Sequence, residues 1–195
     1  MKNVGIVGIG DMGSGLAKNL IKNGFSVIGL DLLEHRKLAF EAMGGQLARD
    51  YAEIGRASDA VFVMVMNGTE AKEIILGENG LVASMEKGGA ILLTATIKPT
   101  EAREIGAAMA GSGIDLIDSP VSGGFPGAQG GSLTLMAATP ANILAKNRRV
   151  LEAVSKTIHY VGSDVGMGQT GKACLDRKST SLNSSHMDRC RMPSS

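Results

Sequence analysis

Short runs of β-branched and aliphatic residues alternate along the chain with longer stretches of helical spacing. The apolar runs predict strands at 3–9, 26–30, 60–66, 90–93, 114–117, 133–137 and 157–161. Helical periodicity and boundary residues predict helices at 13–23, 34–43, 69–76, 99–112 and 140–155. This alternation is typical of an α/β fold with a doubly wound, mostly parallel sheet, in which ligands bind at the carboxyl ends of the strands.

The composition excludes several classes of function. The chain has 20 Lys and Arg against 19 Asp and Glu, and aromatic residues make up only 3%. This balance predicts neither nucleic acid nor a membrane surface as a partner. Two cysteines, Cys174 and Cys190, are too few for a disulfide framework or a zinc site. The apolar opening segment has the length of a strand and is broken by glycines, so we expect a cytoplasmic protein without a signal segment.

The sequence changes character at Asp176. From there it loses apolar periodicity and becomes rich in Ser, Arg and Asn, a composition that suits disorder. Residues 176–186 are similar to a translation of a common sequencing-library adapter, from which they differ at Ser181, and 191–195 are similar to a translation of its far end. We therefore expect 176–195 to be a non-native, disordered tail, and the native sequence to stop near Leu175.

Glycines at Gly8, Gly10 and Gly13 follow the first predicted strand in the spacing G-x-G-x-x-G. The first allows a tight turn, the second lets a pyrophosphate approach the backbone, and the third lets helix and strand pack closely. The helix that follows offers unpaired N–H groups to the phosphates. The motif occurs by chance in glycine-rich chains, but its strand-turn-helix context favours a Rossmann-type dinucleotide site over a purely structural turn.

Asp31 ends the second predicted strand, about twenty residues after the glycines, where an acidic residue binds the adenosine ribose hydroxyls. Its charge would repel a 2′-phosphate, so NAD is the expected cofactor. Arg36 and Lys37 are close enough in sequence to soften this preference, and NADP stays possible. The alternative is an ordinary turn residue at a strand end.

Four segments carry a resemblance to a known family: GIVGIGDMGSGLAKNL, ATIKP, DSPVSGGFPGAQGGSLTLMA and GMGQTGKAC. In this order and spacing they resemble the β-hydroxyacid dehydrogenases, which include the 3-hydroxyisobutyrate, L-threonate and tartronate-semialdehyde enzymes. The third segment, similar to the family's substrate-binding signature, is the most specific. The resemblance covers 2–175 and implies a dinucleotide-binding domain over 1–162, followed at 163–175 by the start of an interdomain helix.

The resemblance also implies roles for individual residues. Lys172 would be the catalytic acid/base, or would stay charged and polarise the substrate oxygen; most lysines are simply solvated. Ser122, Gly123 and Gly124 would hold the substrate carboxylate through a hydroxyl and backbone N–H groups, although an ordinary glycine-rich loop has the same composition. The cofactor residues implied by the motifs and strand ends are Gly8, Gly10, Asp11, Met12, Gly13, Asp31, Val65, Met66 and Thr96.

The implied activity is hydride transfer between a small 3-hydroxy acid and NAD or NADP. The family's all-α C-terminal domain, expected to build a homo-oligomer, is absent from this sequence, and Leu175 stands where the family has Asn or His. We therefore expect the chain alone to be inactive. A non-catalytic dinucleotide-binding module and an imine reductase are the alternatives, and Lys172 argues against both. His35 and His159 have no neighbours that suggest a metal site.

Overall fold

The computed structural model describes the backbone of residues 3–188 and the side chains of residues 3–177. Its strands form one sheet within that range. The strands are β1 Asn3–Val7, β2 Ser26–Leu30, β3 Gln46–Leu47, β4 Ala60–Val63, β5 Ala90–Leu93, β6 Asp115–Asp118, β7 Val121–Ser122, β8 Leu133–Ala138 and β9 Ser155–Gly162.

The sheet has the order β3-β2-β1-β4-β5-β6-β8-β7, with β9 paired to β8. Every neighbouring pair from β3 to β6 is parallel. Strand β8 runs antiparallel to β6 and β7 and parallel to β9. The order β3-β2-β1-β4-β5-β6 is that of a Rossmann fold, so the predicted doubly wound, mostly parallel sheet is confirmed.

Helices cover both faces of this sheet. They are α1 Asp11–Lys22, α2 Glu34–Ala42, α3 Tyr51–Ala57, α4 Gly68–Leu76, α5 Leu81–Ser84, α6 Pro99–Ala108, α7 Gly124–Gly130, α8 Ala141–Glu152 and α9 Met167–Asp188. In β4, Phe62 belongs to one apolar cluster while Val61 and Val63 belong to the other. Because successive side chains of a strand point to opposite faces, this burial explains why the central strands are continuous apolar runs.

Two predicted strands end earlier than their apolar runs. Strand β1 stops at Val7, and β4 stops at Val63 rather than at residue 66. The chain turns away from β1 at Gly8, whose φ is +90°. On the side of β1, β4 therefore has no partner strand beyond Val63. The first helix begins at Asp11, before the predicted residue 13. Val65 and Met66 consequently lie in a loop.

The prediction omitted β3, α3, α5, β7 and α7. Helix α3 has a signal in the sequence, because the Asp50 side chain caps it by accepting from Glu53 N at 2.7 Å. Helix α7 has little local signal, since it contains three glycines and a proline. It packs on α1, where a Cβ at Gly15 would lie 2.5 Å from the Ala128 carbonyl carbon. The remaining omissions span two to four residues.

The structure differs from the expected disorder after Asp176, because α9 continues as helix to Asp188. The segment has no glycine or proline before Pro193, so nothing in its sequence interrupts a helix that begins upstream. Residues 189–195 of the predicted tail lie outside the described residues. The adapter-derived origin of the tail stays a prediction.

No helix within residues 3–188 has the length and apolar character needed to cross a bilayer.

Candidate cofactor and active site

The carboxyl ends of five strands lie side by side at one edge of the sheet. The residues Leu30, Val7, Val63, Leu93 and Asp118 are successive register partners across it. Each loop that follows therefore leaves the sheet at the same edge. This is the edge at which open α/β sheets bind their ligands.

The glycine turn is fixed by close backbone contacts. A Cβ at Gly8 would lie 2.1 Å from the Met64 carbonyl oxygen, and one at Gly13 would lie 1.9 Å from the Gly8 carbonyl oxygen. No side chain fits at either position. Gly10 differs, because its φ of −70° is ordinary and a Cβ there would meet only the Arg36 guanidinium, at 3.4 Å. Gly10 is therefore open towards a ligand instead of packed against the fold.

Helix α1 begins beside this opening without a side-chain cap. Its N-cap is Gly10, and no side chain there bonds to the first turn. Helices α3 and α4, by contrast, are capped by Asp50 and Asn67. The uncapped N–H groups of the first turn and the positive end of the helix dipole make the start of α1 suitable for a pyrophosphate.

Asp31 ties this turn to the end of β2. Its Oδ2 accepts a hydrogen bond from Ile9 N at 2.8 Å, and its Oδ1 accepts one from Leu33 N at 3.0 Å. The Arg36 guanidinium approaches the same carboxylate at 3.4 Å, with its side chain 38% exposed. Asp31 thus orients the turn itself and also presents a carboxylate to the cavity beside it.

A cavity of about 570 Å³ opens at this edge. Gly8, Gly10, Asp11, Met12, Gly13, Asp31, Val65 and Met66 line it, which are all the predicted cofactor residues except Thr96. Leu32, Leu33 and Met66 add exposed apolar surface for a base. Burial raises the pKa of the lining Tyr51, and the carboxylates of Glu73 and Glu70 raise it further, so the phenol keeps its proton at neutral pH. The volume of the cavity and the N–H groups at the start of α1 fit a dinucleotide.

Thr96 and the predicted substrate and catalytic residues lie outside this cavity. They are found in the loop after β5, at the end of β7 and the start of α7, and on α9. Thr96 is exposed between β5 and α6, and Ser122 is half-buried at the end of β7. Gly123 and Gly124 follow with φ values of +125° and +58°, which favour glycine at both positions. Lys172 lies on α9 with its side chain 14% exposed, and its Nζ is 2.6 Å from Asp176 Oδ1.

The comparisons with known proteins identify this arrangement. Residues 3–162 match the family described as the NAD binding domain of 6-phosphogluconate dehydrogenase. The chain belongs to this family. The cofactor class predicted from the glycine turn, a nicotinamide dinucleotide, is confirmed with it.

Curated relatives of this NAD-binding domain are hydroxy-acid dehydrogenases. The chain is 35% identical over 171 residues to L-threonate dehydrogenase of Escherichia coli O6:H1, covering 87% of this chain and 57% of the relative. It is 36% identical over 174 residues to NAD-dependent L-serine dehydrogenase of Pseudomonas aeruginosa, covering 89% and 58%. A solved Mycobacterium tuberculosis 3-hydroxyisobutyrate dehydrogenase with L-serine is 28% identical, with a TM-score of 0.84 over 90% of this chain and 59% of that one. The chain spans somewhat more than half the length of these relatives.

Three buried polar residues in the segments that resemble the family have no role in the sequence prediction. Asn19 is buried in α1 and donates to the Gly15 and Ala128 carbonyl oxygens, both at 2.8 Å, joining α1 to α7. Asp118 and Gln169 are also buried and bond to each other. A buried polar side chain needs partners, but the sequence does not show which ones. No cluster of potential metal ligands occurs in the part of the chain that the structure describes.

Proposed function

We propose that the protein from which this chain derives is an NAD(P)-dependent oxidoreductase that transfers a hydride between a small 3-hydroxy acid and the nicotinamide. The observation that carries the proposal is the cavity that gathers the glycine turn, the uncapped start of α1 and Asp31 at one sheet edge. The loops with Thr96 and Ser122 leave the same sheet. The hydroxy-acid dehydrogenases among its relatives support the reaction class.

The residues lining the cavity fit an extended dinucleotide. Gly10 and the first turn of α1 would hold the pyrophosphate, and Asp31 would accept from the adenosine ribose hydroxyls. Its negative charge favours NAD, while Arg36 at its side offers a cation to a 2′-phosphate and keeps NADP use possible. Val65, Met66 and Thr96 would contact the rest of the cofactor. When bound, the nicotinamide supplies the hydride acceptor.

The substrate would lie between α9 and the junction of β7 with α7. The Ser122 hydroxyl and the backbone N–H groups of Gly123 and Gly124 would bind its carboxylate. As the hydride leaves the carbinol carbon, the alcohol proton would pass to Lys172 acting as a general base. A charged Lys172 would instead polarise the oxygen, with the proton leaving to solvent.

The chain as it stands is proposed to bind the cofactor without turnover. Its relatives are longer, and the family's C-terminal domain would complete the substrate pocket and build the homo-oligomer.

The test begins with the source DNA beyond codon 175, which gives the native continuation. The longer protein is then assayed for hydroxy-acid-dependent NADH formation with L-threonate, L-serine and 3-hydroxyisobutyrate. We expect Lys172→Ala to lower kcat by about 10²- to 10⁴-fold. Lys156→Ala, which removes an exposed lysine of β9, is the control and should leave kcat unchanged. Unaltered turnover in Lys172→Ala would refute the assigned role.

A further inference from the structure

Asp118 is a completely buried carboxylate at the end of β6. Its Oδ2 accepts hydrogen bonds from Gly166 N at 2.8 Å and from Gln169 N at 3.3 Å, both at the start of α9. Its Oδ1 accepts from Gln169 Nε2 at 3.0 Å. Burial raises the pKa of the Asp118 carboxyl, and the bonds from Gly166 and Gln169 partly offset that rise. Burying a carboxylate is costly unless its bonds are well formed, so this residue strongly constrains the segments it joins.

Gln169 extends these bonds to the loop after β5. Its side chain is almost fully buried, with Oε1 accepting from Ile97 N at 3.0 Å and Nε2 donating to Ala95 O at 3.0 Å. The two backbone groups flank Thr96, which is exposed. One side chain therefore fixes the backbone on both sides of a residue predicted to contact the cofactor.

The first turn of α9 lies unusually close to the sheet. A Cβ at Gly168 would be 2.5 Å from the Asp118 carbonyl oxygen and 2.6 Å from that of Met136, so only glycine fits. Gln169 is anchored immediately after it, and Lys172 follows three residues later on a neighbouring side of the helix. Anchoring Gln169 thus sets the rotation of α9 about its axis and the direction in which Lys172 projects.

The geometry assigns Asp118 and Gln169 as positioning residues that hold Thr96 and Lys172 in a fixed mutual arrangement. We call these two residues the clasp. A helix cap alone would need only the bonds from Gly166 N and Gln169 N to Asp118. The additional bonds from the Gln169 side chain to Ala95 and Ile97 serve no cap, and they join the loop of Thr96 to the helix of Lys172. The inference rests on the proposed function, in which the loop that carries Thr96 contacts the nicotinamide half of the cofactor.

The test uses the 195-residue chain and measures Kd for NADH and for ADP by calorimetry. ADP contains the adenosine and phosphates that the glycine turn and Asp31 are proposed to hold, but it lacks the nicotinamide half. In Gln169→Met, which removes the amide at similar volume, we expect NADH binding to weaken about tenfold and ADP binding to change by less than about twofold. Asp115→Asn, at the opposite end of β6, is the matched control and should leave both Kd values unchanged.

A second readout follows the two positioned residues directly. In Gln169→Met, hydrogen exchange at the Ile97 amide and amine labelling of Lys172 should both accelerate severalfold, with Lys156 as the internal reference for labelling. If Gln169→Met does not fold, Asp118→Asn, which keeps the size of the side chain, is measured in its place with the same expectations.

The outcomes separate the clasp from the proposed function. The clasp would be overturned if Gln169→Met weakened NADH and ADP binding equally, because equal weakening indicates only that the residue supports the fold. Unchanged Kd values for both ligands would overturn it as well. Failure of the unmodified chain to bind either ligand would refute cofactor binding by this chain. The exchange and labelling rates would then decide the clasp alone, and unchanged rates in the variant would overturn it.

Discussion

The Lys172 amine donates a hydrogen bond to the Asp176 carboxylate across 2.6 Å, one helical turn farther along α9. Asp176 is the first residue of the segment predicted to be non-native. The proposed catalytic amine is therefore paired with a group that the intact protein is not expected to have at that position. The acid follows the lysine in sequence, which is the weaker orientation for such a pair on a helix.

Removing this carboxylate should make Lys172 more accessible to reagents. We expect Asp176→Asn to increase the amine-labelling rate of Lys172 about twofold or more. The free energy of unfolding should change by less than about 1 kcal/mol, because the Asp176 side chain is 51% exposed. Labelling followed by peptide mass spectrometry measures the rate. Glu152→Gln removes a comparable pair with Arg148 on α8 and should leave Lys172 labelling unchanged. Equal Lys172 labelling rates in Asp176→Asn and Glu152→Gln would contradict the pairing.

Gly10 and Gly13 should separate ligand binding from folding. Gly13→Ala places a Cβ against the Gly8 carbonyl oxygen and should destabilise the fold by about 1–3 kcal/mol, as overpacking does. Gly10→Ala meets only the flexible Arg36 side chain, so we expect nearly unchanged stability but weaker NADH binding. Urea unfolding and calorimetry measure the two quantities. Strong NADH binding by Gly10→Ala would show that this face of the turn is not in contact with the pyrophosphate.

Asp31 should govern the choice between NAD and NADP. We expect Asp31→Ser to weaken NADH binding and to improve NADPH binding relative to it, because the variant loses an acceptor for the ribose hydroxyls and a charge that repels a 2′-phosphate. Kd values for both cofactors measure the change. Stability should also fall by about 1–3 kcal/mol, since Ile9 N–H loses its partner. Arg36→Gln, which keeps Asp31, should shift the preference in the opposite direction; unchanged discrimination in both variants would refute the assignment.

The buried Asp118 should make stability depend on pH in a defined direction. Its pKa is raised above the ordinary value of 3.8 in the folded protein, so the folded state favours the protonated form. Its contribution to the free energy of unfolding is thus fully present below pH 3.8 and is lost as the pH rises through the folded pKa. The stability of the unmodified chain relative to Asp118→Asn should fall over that range. Urea unfolding across a pH series checks the sign, with Asp115→Asn as the control. The prediction would be contradicted if the unmodified chain became more stable relative to Asp118→Asn as the pH rises.

Much of the fold could be read from local pattern because the central strands are buried on both faces. Their continuous apolar runs made β4 and β5 visible, and the glycine spacing after β1 indicated the turn and its ligand class. The short strands β3 and β7 have too few residues for periodicity. Helix α7 forms despite poor helix propensity because it packs on α1, a contact between segments more than a hundred residues apart.

The candidate site divides in the same way. Gly13 and Asp31 act through neighbours that the β1-α1-β2 unit brings together, so their spacing in the sequence was sufficient to predict them. Asp118 and Gln169 meet only because β6 and the start of α9 reach the same sheet edge. The sequence by itself determined the mostly parallel α/β architecture, the glycine turn and the cofactor class, since these depend on local periodicity and fixed spacing. Only the tertiary structure decided which buried polar groups pair across that edge, because hydrogen bonds between distant segments leave no periodic trace in the chain.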